Sequence, residues 1–108
     1  MTTGFICRTA EEYALTVGVR LQSHQVPFGA DGDIEITDLY ADTPGQGDGT
    51  LALQNLCDLA DEYNRNLYLH PECECNKAYY ARFGFVREEK LRYVGLQLVR
   101  YSKPEDEK

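Results

Sequence analysis

The feature that most constrains this chain is a change of hydrophobic period across one glycine-rich loop. Residues 34–40, Ile-Glu-Ile-Thr-Asp-Leu-Tyr, alternate apolar and polar and predict a strand stopped by Asp42, Pro44 and Gly45. From Gly49 the apolar residues Ala52, Leu53, Leu56, Leu59, Ala60 and Tyr63 recur at helical spacing, predicting an amphipathic helix that ends near Asn64. Leu67-Tyr68-Leu69 is almost wholly apolar, as a short strand buried in mid-sheet should be. Residues 76–83 suit a short helix stopped by Gly84, and residues 85–86 and 91–101 supply a final pair of strands.

Upstream of this the pattern supports two readings. Phe5-Ile6-Cys7-Arg8 is a short apolar run, and Tyr13, Leu15, Val17, Val19 and Leu21 alternate with smaller or polar residues. Period two with β-branched residues predicts a hairpin of two strands. Thr9-x-x-Glu12 is also a capping box, and Tyr13, Val17 and Leu21 share a helix face. Residues 23–33, with Pro27, Gly29 and Gly32, read as a polar connection. With the hairpin, the order is three strands, helix, strand, helix and two strands, an α+β domain with a mixed α/β sheet. Residues 1–102 form one domain and residues 103–108 an acidic tail.

A chain of 108 residues should hide roughly 65% of its unfolded surface in one core. No apolar run approaches a membrane span, and the first residues lack the basic and hydrophobic regions of a leader. The expectation is a soluble, cytoplasmic protein. Its net charge of -7 argues against nucleic acid, whose phosphates need clustered Lys and Arg, and suits an amine or a basic protein surface. Four cysteines, unevenly placed, are too few for a disulfide scaffold. His70, Cys73 and Cys75 form one cluster without the second ligand pair of a zinc site, so reduced structural cysteines are expected.

The loop itself, Pro44-Gly45-Gln46-Gly47-Asp48-Gly49-Thr50, leaves backbone donors unscreened just where a helix begins, and a phosphate or pyrophosphate suits such a place. No Lys follows the last Gly, so it is not a P-loop, and its glycine spacing is not that of a dinucleotide fold.

The loop, the helix and buried strand after it, and then Asn76-Lys77-Ala78-Tyr79-Tyr80-Ala81-Arg82-Phe83-Gly84-Phe85 together resemble the GNAT superfamily, the Gcn5-related N-acetyltransferases. That family's acetyl-CoA loop reads Gln/Arg-x-x-Gly-x-Gly/Ala at a helix start, and a later Tyr-x-x-x-Gly-Phe closes a short helix. The resemblance spans residues 33–101, including a last strand at 93–101, and is to compact members that lack an N-terminal strand and helices. It implies a mostly antiparallel sheet flanked by helices, and transfer of acetyl from acetyl-CoA to a primary amine of a small molecule or a lysine.

By position, the resemblance gives Leu39, Tyr40 and Ala41 the backbone contacts to the pantetheine arm. It gives Gln46, Gly47, Asp48, Gly49 and Thr50 the pyrophosphate, and Asn76 a place near the cofactor arm. Tyr80 matches the tyrosine that protonates the departing thiolate, and a backbone N–H near Tyr40 or Ala41 would polarise the thioester carbonyl where the strand splays from its neighbour. Glu35 and Asp38, on the strand feeding the loop, are the candidates to deprotonate an amine whose pKa lies near 10.4.

Two residues depart from the family pattern. Pro44 replaces a Gln or Arg donor, and Asp48 sets a carboxylate beside the pyrophosphate position, at a cost on the order of 1 kcal/mol. They motivate an alternative, a non-catalytic domain of this fold that binds a basic partner. Pairing of two copies through the final strand is also open to the chain.

Overall fold

The computed structural model describes residues 2–26, 32–41, 47–70, 77–87 and 98–102. In chain order these form α1 (Thr2–Thr16), β1 (Val19–Gln25), β2 (Ile34–Ala41), α2 (Asp48–Glu62), β3 (Leu67–Leu69), α3 (Lys77–Ala81), β4 (Val86–Arg87) and β5 (Leu98–Arg100). The five strands make one mixed sheet in the order β1-β2-β3-β5-β4. β2 and β3 run parallel, and the other three pairings are antiparallel. The α+β class is therefore as the sequence implied.

The expected N-terminal hairpin is not formed. Residues 2–16 are helical, so the strand at 5–8 and the first half of the alternation at 13–21 are overturned. Burial decides the matter: Ile6, Ala10 and Ala14 are fully buried at four-residue spacing, while Leu15, which a strand would have turned inward, is exposed. Ala10 and Ala14 weigh little in a hydrophobic pattern, yet small residues are what a helix needs for close approach to a second helix. Thr9 and Glu12 lie mid-helix instead of marking its start. The alternation is correct only beyond Gly18, where Val19 and Leu21 are buried on β1. Glu11 joins helix to strand by accepting a hydrogen bond from the Ser23 backbone N–H at 2.8 Å.

β2, α2, β3 and α3 fall where the sequence placed them, but residues 23–25, expected in the polar connection, extend β1, because they continue its pairing with β2. Of the strand expected at 91–101 the structure describes β5, and residues 91–97 lie outside the described residues. Ile34, Ile36, Leu53, Leu56, Leu67, Leu69 and Leu98 build one core with α1, and Val26, Tyr68 and Val99 form a second cluster. α3 ends as its sequence foretold. Gly84, at φ +98, takes a conformation that a side chain would resist. Phe85 N–H reaches back to the Tyr80 carbonyl at 3.3 Å and Gly84 N–H to Ala81 at 3.0 Å. Among the described residues, no helix is long and apolar enough to cross a membrane.

Candidate functional site

The site begins where two parallel strands part. β2 pairs with β3 only at Ile34↔Leu67, Glu35↔Tyr68 and Ile36↔Leu69. β3 ends at Leu69, and Pro71, two residues on, has no amide hydrogen with which to extend a ladder. β2 runs on to Ala41 against β1 alone among the described strands. Its alternate N–H and C=O groups beyond Ile36 therefore face away from β1, where no described strand meets them.

A cleft of about 100 Å³ opens at this point, lined by Ile36, Thr37, Asp38, Leu39, Tyr40, Leu69, His70 and Tyr80. One water needs roughly 10–15 Å³, so the cleft takes a group of several heavy atoms and not a nucleotide. A β-bulge shapes its wall. Gln22 faces Asp38 while Ser23 faces Ile36, so Thr37 is an extra residue, and its hydroxyl donates to the Gln22 carbonyl at 3.2 Å. The extra residue reverses the alternation. Ile34 and Ile36 face the core, and after the bulge it is Leu39 that packs against it.

Asp38 is half-buried and lines the cleft, as do Leu39 and Tyr40. Tyr40 is also half-exposed, with the Arg20 guanidinium 5.7 Å above its ring. Glu35 is not among the lining residues. Its side chain lies across the sheet from Ile34 and Ile36 and meets His24, with Oε1 3.1 Å from Nε2. Tyr80 comes from α3 to line the cleft, its ring edge-to-face with Phe85 and Tyr79 at 5.8 and 5.3 Å.

The α2 N-terminus follows β2 through residues 42–46, so Pro44 and Gln46 lie outside the described residues, as does Asn76. Gly47 precedes the helix at φ 80, a left-handed position, and provides no side chain to cap the donors of Asp48, Gly49 and Thr50. Asp48 occupies the first helical turn, where its charge favours the helix itself. Thr50 Oγ1 is 3.2 Å from the Tyr79 hydroxyl.

Sequence reasoning gave three residues no role at this site. Tyr79 ties α3 to the start of α2. At the other end of α2, Arg100, itself buried on β5, donates through Nη1 and Nη2 to Asp61, both at 2.8 Å, and through Nε to the Phe83 carbonyl at 2.6 Å. Hydrogen bonding to Asp61 raises the Arg100 pKa further above its usual value. α3 has only five residues and buries none of them fully, and these two attachments tie it and the turn after it to α2 and β5. The third is His70, whose signal was its place at the carboxyl end of a parallel strand, where α/β ligand sites lie.

Cys7 and Cys57 are buried and in no disulfide, and desolvation raises the Cys7 pKa. No group of three metal-binding side chains occurs among the described residues, and Cys73 and Cys75 lie outside them. No family model matches the chain, and no curated protein or solved structure matches it either.

Proposed function

We propose that this protein is a compact GNAT-type N-acetyltransferase that moves acetyl from acetyl-CoA to a primary amine. The observation that carries the reading is the parting of β2 from β3 after Ile36, with Asp38 and Tyr80 at the opening. An extended amide chain such as pantetheine can add to the unmet edge of β2 as a further strand would. The cleft matches an acetyl group in size, and the uncapped start of α2 lies next along the chain for a pyrophosphate. A five-stranded sheet with three of its four pairings antiparallel and helices beside it also accords with the mostly antiparallel sheet that the resemblance implies.

In this reading each residue has a definite task. Backbone groups of 39–41 hold the arm, and an N–H of that stretch polarises the thioester carbonyl. Asp38 attracts the cationic acceptor. Tyr80 gives its phenolic proton to the departing thiolate. Asp48 fits least well, because it stands in the turn that a pyrophosphate would approach.

Thermal unfolding with and without acetyl-CoA tests binding: a rise in Tm that grows with ligand concentration is expected. Tyr80→Phe should then slow single-turnover acetylation about 10-fold or more while leaving that rise in place. An unchanged rate would remove Tyr80 from the mechanism. Asp48 and the charge of -7 favour one other reading, a non-catalytic domain for a basic protein. It is the better account if millimolar acetyl-CoA gives no rise while a basic protein is retained in a salt-sensitive way.

A further inference from the structure

We infer that His70 is the base that takes the proton from the acceptor amine. This rests on the acetyltransferase reading, and it differs from the expectation that Glu35 or Asp38 does so.

Position comes first. Leu69 is the last residue of β3 to face β2, opposite Ile36, so His70 stands one step beyond, where the two strands separate. It lines the same cleft as Asp38 and Tyr80. The three groups come from three elements: His70 follows β3, Asp38 belongs to β2 and Tyr80 to α3. Base and acid therefore stand on different walls around a space of acetyl size.

Availability comes second. Glu35 is engaged with His24 and does not line the cleft. His70 has no ion pair or hydrogen bond to another described residue, and its exposure lets it pass a proton on to water. Proton transfer is most efficient with an acceptor whose affinity suits neutral pH, and imidazole suits it better than other side chains. Asp38, a carboxylate lining the same cleft, draws in the ammonium form, and His70 makes it nucleophilic.

The protons balance as follows. The ammonium nitrogen gives one proton to His70, and the neutral nitrogen forms a C–N bond to the acetyl carbon. As the C–S bond breaks, the thiolate takes the Tyr80 phenolic proton. The new amide nitrogen sheds its second proton, which restores Tyr80, and the proton on His70 leaves to solvent. The sum is an amide, a thiol and one released proton.

The test uses the full chain with acetyl-CoA and three amines: spermidine, a lysine peptide and phenethylamine. Expected for His70→Ala is unchanged stabilisation by acetyl-CoA, a kcat lower by about 10²-fold, and substantial recovery on adding free imidazole, with His70→Gln slow and equally rescued. Recovery by imidazole is a response that a merely structural histidine would not give. Wild-type turnover in His70→Ala, or a loss that imidazole does not restore, overturns the role of His70 and leaves the acetyltransferase reading standing. A wild-type protein that acetyl-CoA does not stabilise, or that acetylates none of the three amines, removes that reading and the inference with it.

Discussion

The two halves of β2 are one strand under two conditions. From Ile34 to Ile36 it has a strand on either side and buries two isoleucines in the core. From Thr37 to Ala41 it keeps β1 but has no described strand on the other side, and a bulge has reversed which residues face inward. The first half is satisfied by the protein itself. In the second no described strand meets the backbone groups that face away from β1, and the groups to which we propose chemical roles gather there. Within one strand, stability and function are separated by where its neighbour stops.

The contrast predicts a steep difference between neighbouring positions. Ile34→Ala should cost about 4 kcal/mol in urea unfolding, as expected of a fully buried side chain. Asp38→Ala should cost less than about 0.5 kcal/mol while altering acetylation. Equal losses from both would mean that the cleft half of β2 is structural after all. The clamp that holds α3 over the cleft comes next. Asp61→Ala strands the buried Arg100 guanidinium and should cost about 3 kcal/mol, less than a fully buried pair because Asp61 is one-quarter exposed. Tyr79→Phe removes only the contact with Thr50 and should cost about 1 kcal/mol. Its effect on turnover should exceed its effect on stability, since Tyr80 is the neighbouring residue on α3. If turnover is untouched, Tyr79 does not help to aim Tyr80.

The smallest effect is one of pH and lies away from the cleft. Burial raises the folded-state pKa of Cys7, so the unfolded chain loses this proton first as pH rises. Stability from that thiol is complete below the ordinary thiol range and falls above about pH 8.5. Wild type should therefore lose stability on the alkaline side more steeply than Cys7→Ala, the reverse of the behaviour of a depressed carboxylate. Parallel pH profiles would show that Cys7 does not contribute.

Much of this protein was legible in its residues because the signals were local. Periodicity located β2, α2 and β3, Gly84 marked the end of α3, and the loop before α2 marked its start. Local signals failed at residues 2–16, where Ala10 and Ala14 look neutral in sequence and become a buried helix face only in the core that α1 shares with the sheet and α2. Glu35 and Asp38 looked alike in the sequence, and what distinguishes their surroundings is where β3 stops: Glu35 still stands opposite Tyr68, while Asp38 lies beyond the last pair, Ile36↔Leu69. His70 drew notice in the sequence only beside two cysteines, in a cluster without the second ligand pair of a zinc site, and the end of β3 next to it is what sets it at the cleft. By itself the sequence determined β2, α2 and β3, whose large apolar residues repeat at the spacing of their element. Only the tertiary structure decided which residues share the cleft, because that depends on where one strand outruns its neighbour, a relation between segments some thirty residues apart.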